Sequence, residues 1–246
     1  MHQVTRSARW GGSLLCLALL ALCAPAAPLA QAGNATTDPV DPVTPGRPPF
    51  TARVAPLDEA TTQRMVGVSW REGCPVSLAE LRAIQLTYWG YDAKAHTGQL
   101  VVNQDIAESV TQLFQTMYRQ GFPIQRMDLV DRFEGDDDAS MAANNTSAFN
   151  CRAMTGAPGK WSVHSYGRAV DINPVTNPYV KQTETRTIVL PEAGRAYLDR
   201  STARPGMIVR QDGVWKAWTA AGFEWGGDWQ TLKDYQHFEL VRKARR

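Results

Sequence analysis

The chain has 246 residues, 43% of them hydrophobic, with 26 Lys+Arg against 24 Asp+Glu and only four residues each of His and Cys. These values fit one medium-sized globular domain with additional segments, and they exclude a repeat array or a low-complexity chain. A formal charge of +2 over this length supplies no field that points to a nucleic-acid partner, so function has to be sought in local groupings.

Arg6 and Arg9 precede an uncharged Leu/Ala-rich run from Leu14 to Ala24, and Ala30-Gln31-Ala32 supplies a small-x-small cleavage pattern. Residues 1–32 therefore read as a secretory signal peptide, and the product as secreted, extracellular or associated with a cell wall. The apolar run is short for a spanning helix and is followed by Pro25 and Pro28, so the mature form is expected to have no stable membrane span. Cys23 raises a lipoprotein alternative, against which Leu22 stands where a small residue is the rule. Cleavage removes Arg6 and Arg9 and leaves the basic and acidic counts balanced. Cys74, Cys151, His96, His164 and His237 remain. In an oxidising compartment the two cysteines either stay free or close one disulfide, which would tie the first helical region to the segment preceding the richest motif.

Residues 33–64 hold Pro39, Pro42, Pro45, Pro48, Pro49 and Pro56 among few large apolar side chains, the composition of a flexible linker. The folded domain is then expected over 65–246. Ser77-Leu-Ala-Glu80 has the capping-box pattern, and Leu78, Leu81 and Ile84 follow at helical spacing, which predicts a helix over about 78–87. Ile106, Val110, Leu113, Phe114 and Met117 form a stripe that predicts a second helix over about 104–119, stopped by Gly121. Phe122 to Val130 reads as an extended segment entering a strand.

The polar stretch from Phe133 to Cys151, with its Asp136-Asp137-Asp138 triplet, reads as a long solvated active-site loop, and the triplet lacks the spacing of an EF-hand. Ala169 to Ile172 has the alternation of a core strand. A short helix is expected from Pro191 to about Leu198, another from Val214 to Ala221 ended by Gly222, and a last strand through Phe238-Glu239-Leu240. Strands separated by helices without a regular βαβ period give an α+β class.

The chemistry concentrates in Ser162-x-His164-x-x-Gly167-x-Ala169-x-Asp171 and in Asp234-x-x-His237. Neutral imidazole and carboxylate are both zinc ligands, and Gly167 lets the backbone bend His164 and Asp171 toward one point. His164, Asp171 and His237 are the candidate ligands of one Zn²⁺. Three protein ligands leave a fourth position open, the pattern of a catalytic rather than a structural site. Asp234, on a helical turn or tight loop, is the candidate general base. Arg152 offers a five-donor fork for a substrate carboxylate or a developing oxyanion. Ser162 and Tyr166 are candidate substrate contacts, and Trp161, Trp225, Trp229 and Tyr235 are weaker candidates for the cleft wall. His96, in Ala-His-Thr-Gly, fits a turn, a substrate contact or a further ligand, with the turn ranked first. A serine triad built from Ser162, His164 and Asp171 is the poorer reading, because no nucleophile-elbow glycines surround Ser162.

The two-part signature, followed by Phe238-Glu239, resembles the M15 zinc peptidases, most closely their VanY-like D-Ala-D-Ala carboxypeptidase and L-Ala-D-Glu endopeptidase branch. The likeness extends over about residues 65–241, including Asn144 to Arg152 and Asp171 to Tyr179. It implies that His164, Asp171 and His237 are zinc ligands, that Asp234 stands at the catalytic acid's position where several members have glutamate, and that Arg152 stabilises substrate. It also implies a Hedgehog/DD-peptidase-like fold, in which a small antiparallel sheet carrying the mononuclear zinc site is packed with helices. The expected substrates are peptidoglycan stem peptides or their precursors, cut by a D-alanyl-D-alanine carboxypeptidase. The alternatives are an L-Ala-D-Glu or crosslink endopeptidase, and a wall-binding protein whose zinc supports no turnover. A monomer is expected.

Overall fold

A computed structural model of the protein describes residues 47–240, which belong to one unit, Asp41–Arg246. The signal peptide, Cys23 and residues 33–46 of the proline-rich segment lie outside the described residues. Among the described residues, four helices accompany twelve short strands arranged in separate small sheets, a mixed α/β structure with small antiparallel sheets.

The N-terminal sheet joins β1 (Ala52–Pro56), β2 (Leu81–Gly90) and β3 (Ala95–Asn103) in antiparallel order. Strand β1 pairs with β2 from Ala52–Leu86 to Pro56–Arg82, and α1 (Glu59–Met65) follows with Asp58 as N-cap. Regular structure is therefore already present before residue 65, inside the stretch whose prolines suggested a tether. Arg47 already docks, its guanidinium 4.4 Å from the Trp89 ring and its Nη1 donating to the Tyr118 carbonyl at 2.8 Å.

The helix expected over 78–87 is a strand. The capping box at Ser77 and Glu80 exists, but it caps only a single 3-10 turn, Leu78–Glu80. From Leu81 on, nine residue pairs with β3 take over. Ile84, Leu86 and Tyr88 alternate into the core, so sheet pairing outweighs a local start signal. The segment of β3, Ala95–Asn103, received no element from the sequence because Gly98 and the polar residues around it mask its alternation.

Helix α2 (Ala107–Arg119) matches the expected stripe, burying Val110, Leu113, Phe114 and Met117, and Gly121 follows in the left-handed region. The extended segment after it contributes β4 (Pro123–Ile124), parallel to the end of β2. The stretch Phe133–Cys151 is more ordered than expected. A 3-10 turn, Val130–Phe133, precedes α3 (Asp137–Ala142), whose N-cap is the first residue of the acidic triplet: Asp136 accepts from the Ala139 N–H at 3.1 Å. Asn145, fully buried, then fastens the segment, its Nδ2 donating to the Asp128 carbonyl and to Ser140 Oγ.

The hairpin β5 (Ala153–Met154) and β6 (Ala157–Trp161) leads to β7 (Ala169–Asp171). Strands β8 (Tyr179–Gln182) and β9 (Thr187–Leu190) come next; the helix expected after Pro191 is a 3-10 segment, Glu192–Tyr197. Helix α4 (Gly213–Ala220) is capped by Asp212 and ends before Gly222 as expected. Strands β10 (Glu224–Trp225), β11 (Lys233–Asp234) and β12 (His237–Glu239) complete the chain.

Two sheets bear on the candidate site. One runs β10-β12-β7 and the other β11-β8-β9, all antiparallel. Val170 and Phe238 are paired across β7 and β12 and face the main core, where the Trp218 ring stacks 4.7 Å from Phe238. Alternation then sends their neighbours Asp171 and His237 to the other face. A second cluster built on Met65, Leu81, Val101 and Phe149 includes Cys151, whose disulfide to Cys74 spans a Cα separation of 6.0 Å. Among the described residues no helix is long and apolar enough to cross a membrane.

Candidate metal centre and cleft

His164 sits on a 3-10 turn, Val163–Tyr166, where Ser162 Oγ accepts from the His164 N–H at 3.3 Å. Gly167 ends the turn in the left-handed region with φ 66°, and a Cβ there would lie 2.6 Å from the Asn103 nitrogen, so only glycine fits. The turn delivers His164 against β7. Asp171 and His237 are directly paired across β7 and β12, which puts both side chains on the face that His164 approaches.

His164 Nε2 lies 3.1 Å from Asp171 Oδ2 and 3.2 Å from His237 Nδ1, and His237 Nδ1 lies 3.0 Å from Asp171 Oδ1. All three residues are buried, and their candidate ligand atoms fall within 4.8 Å of one another.

The remaining ring nitrogens define the chemistry. His164 Nδ1 is 2.6 Å from the Ala148 carbonyl, which only accepts, so Nδ1 carries the proton and Nε2 a lone pair. His237 Nε2 donates to Glu239 Oε2 at 3.0 Å, which leaves Nδ1 for the centre. Two imidazole lone pairs and a carboxylate thus converge on one point and repel unless a cation lies among them. The donor set and its supporting hydrogen bonds fit a divalent metal of the zinc type.

Without metal the same geometry retains a proton. Burial disfavours charge on His237, but hydrogen bonds to Asp171 and Glu239 outweigh it and push its pKa up to about 10. Burial also works to raise Asp171, and the attraction of His164 together with hydrogen bonds from both imidazoles overrides it, holding that carboxyl well below the usual range.

The triad opens into a cleft to which Arg152, Ser162, Trp229, Asp234, Gln236 and Glu239 contribute. Asp234 stands on β11 opposite Tyr179 of β8, at the end of a strand rather than on the helical turn or tight loop expected. Its Oδ1 is buried and has no hydrogen-bond partner among the described residues. Burial, against the pull of His237 and with the repulsion of Asp171, pushes its pKa up to about 6. Burial and the Asp234 charge in turn raise the Tyr179 phenol. Arg152 Nη2 pairs with Asp137 Oδ2 at 2.8 Å at the cleft edge.

Residues singled out in the sequence therefore divide. His164, Asp171, His237, Asp234, Arg152 and Ser162 share one cleft. Tyr166 does not line it: it is exposed, in a neighbouring groove with Val76, Asn103 and Arg168. Of Trp161, Trp225, Trp229 and Tyr235, only Trp229 reaches the cleft, its ring 5.4 Å from that of His237. Trp225 is core, Trp161 packs on the second cluster, and Tyr235 lies under the Arg200 guanidinium. His96 is remote, on β3, paired with Asp92 at 2.9 Å and stacked on Tyr88.

Sequence reasoning assigned no role to Asp137, Tyr179 or Glu239. Glu239 was accessible: two residues past His237 on an expected strand, it must share that residue's face. Asp137 was hidden inside an acidic run that looked solvated.

Residues 155–240 match an M15 peptidase family model described as D-alanyl-D-alanine carboxypeptidase. Over this segment the chain is similar to the M15 peptidases. The matched segment contains His164, Asp171, Asp234 and His237 and begins just after Arg152. No solved structure matches the chain.

Proposed function

We propose that the protein is an exported zinc peptidase that removes the terminal D-alanine from peptidoglycan stem peptides. The observation that carries this reading is the convergence of His164 Nε2, Asp171 and His237 Nδ1, each supported from behind, beside a buried carboxylate oxygen of Asp234 that has no partner in the same cleft. The description of the matched family supplies the substrate class. On this reading residues 1–32 are the signal peptide, the product is a monomer that works in the cell wall, and the small site-bearing sheet with its helices is a Hedgehog/DD-peptidase-like arrangement.

His164, Asp171 and His237 would hold the ion. A Zn²⁺ there supplies Lewis-acid chemistry, polarising a carbonyl and acidifying water. Asp234 takes a proton from the attacking water at its free carboxylate oxygen and returns it to the departing amine, a role suited to a pKa raised by burial. Arg152 holds the terminal carboxylate of the substrate or the oxygen charge that develops at the scissile carbonyl. Trp229, Met141, Leu190 and Leu232 form the apolar wall that limits water.

The test incubates the exported form with defined muropeptides, with chelator and with zinc restored, and identifies products by mass. Zinc-dependent loss of terminal D-alanine is expected. Release at L-Ala-D-Glu or at a crosslink assigns an endopeptidase instead, and wall binding with no product under any condition overturns the enzyme.

A further inference from the structure

Arg152 is fixed from two directions. Its N–H donates to Ser165 Oγ at 3.0 Å, Ser165 Oγ donates to the Arg152 carbonyl at 2.8 Å, and the same carbonyl accepts from the Ser162 N–H at 3.1 Å. The backbone of Arg152 is thereby fastened to the turn that carries His164, while the preceding residue is anchored by the Cys74–Cys151 disulfide.

The long side chain needs a separate restraint, since ordering it costs rotamer freedom. Asp137 supplies it. Its Oδ2 is 2.8 Å from Arg152 Nη2, and the two side chains are 23% and 22% exposed, so the pair is only partly screened by water. Asp137 is itself set by the cap at Asp136, and one turn on Met141 lines the same cleft and meets the Gln236 amide beside His237. Arg152 Nε is buried with no partner among the described residues, so the guanidinium is not saturated by Asp137.

We propose that Asp137 is a positioning residue for Arg152 that also sets how strongly the cleft takes a carboxylate. The inference rests on the reading of Arg152 as the carboxylate-binding group. Asp137 holds the guanidinium toward the cleft and takes up part of its charge. A second carboxylate on the same guanidinium is repelled by the first, which weakens retention of substrate and of the D-alanine product alike.

The test uses the full chain as wild type, D137N, D137A and R152A. Binding of N-acetyl-D-alanyl-D-alanine and of its C-terminal amide is measured by calorimetry on chelator-treated protein, and kcat and KM for the acid are measured after zinc is restored. Asparagine keeps an acceptor oxygen in place and removes the charge, so D137N should raise the acid-over-amide affinity ratio by about fivefold or more and lower KM. D137A should lower kcat because the guanidinium is no longer held, and R152A should bring the ratio near unity. A D137N ratio within twofold of wild type overturns the inference, as does a ratio retained in R152A. If wild type binds both peptides but cleaves neither, the enzyme reading fails while the D137N ratio still decides the role of Asp137. If wild type does not bind the acid, both fail.

Discussion

Asp171 and His237 are direct cross-strand partners on β7 and β12, with Nδ1 of the imidazole 3.0 Å from Oδ1 of the carboxylate. Their chain neighbours Val170 and Phe238 pair in the same way on the opposite face and pack into the main core. One ladder therefore fixes the spacing of two candidate ligand side chains on one face and their anchorage on the other. Replacing Asp171 by asparagine keeps the shape and removes the charge that balances a cation. Competition titration with a chromophoric chelator should show zinc affinity falling by more than the about 10–100-fold typical of outer-shell changes, with the thermal transition of the metal-free protein still cooperative.

Glu239 acts through His237 Nε2, which it holds at 3.0 Å. It is expected to orient the ring and strengthen Nδ1 as a donor. E239A should lower zinc affinity by about 10–100-fold, and E239Q, which keeps an acceptor oxygen, by less. Equal affinities for wild type and E239A in the same titration would remove Glu239 from the centre.

The metal-free centre should have its own pH signature. His237, raised to about 10 by its hydrogen bonds against the effect of burial, contributes stability that is fully present below about pH 6.5 and is lost as pH rises through 10. Asp171, depressed by His164 and by both hydrogen bonds despite its burial, contributes stability that is present above about pH 3.8 and is lost as pH falls through its lower folded value. Urea unfolding of chelated protein should therefore show the largest contribution of this pair between about pH 4 and 6.5. Zinc competes with the His237 proton, so its apparent affinity should rise with pH, and calorimetry in buffers of different ionisation enthalpy near pH 7 should register proton release.

The Cys74–Cys151 disulfide closes a sequence separation of 77 residues and anchors the residue before Arg152. Its reduction should cost about 2–4 kcal/mol in urea unfolding. Reduction releases one anchor of Arg152 while Ser165 and Asp137 still hold it, so KM should rise only slightly and zinc affinity should change little.

The candidate site was more legible than the fold around it. Three ligand candidates and Asp234 stand in two short motifs whose residue types are uncommon together, and the strands at 169–171 and 237–239 carry alternation clear enough to place them. What failed was local inference against long-range pairing. The capping box at Ser77 is a valid start signal, yet what it starts ends after one 3-10 turn, because β1 and β3 claim the following residues. Strand β1 was masked by the surrounding prolines, although Pro56 sits at its end and pairs with Arg82. Tyr166 shows a finer limit: two residues beyond His164 on a turn, it points into another groove, and spacing within a motif does not settle which side of a 3-10 turn each residue faces.

Asp234 offers the sharpest separation of metal binding from turnover. Its Oδ1 lacks a partner and no sequence-adjacent ligand depends on it, so D234A should keep most of the zinc and lose about 10²–10⁴-fold in kcat. Its position is set by close approach to Gly226, where a Cβ would come within 2.6 Å of the Asp234 carbonyl and 2.8 Å of its Cβ. G226A should therefore displace β11 and lower kcat without touching a ligand side chain. Zinc titration and muropeptide turnover on both variants give the comparison. Loss of zinc from D234A in proportion to its loss of activity would make Asp234 a ligand rather than a base, and full turnover in G226A would show that the strand position is not what holds the carboxylate in place.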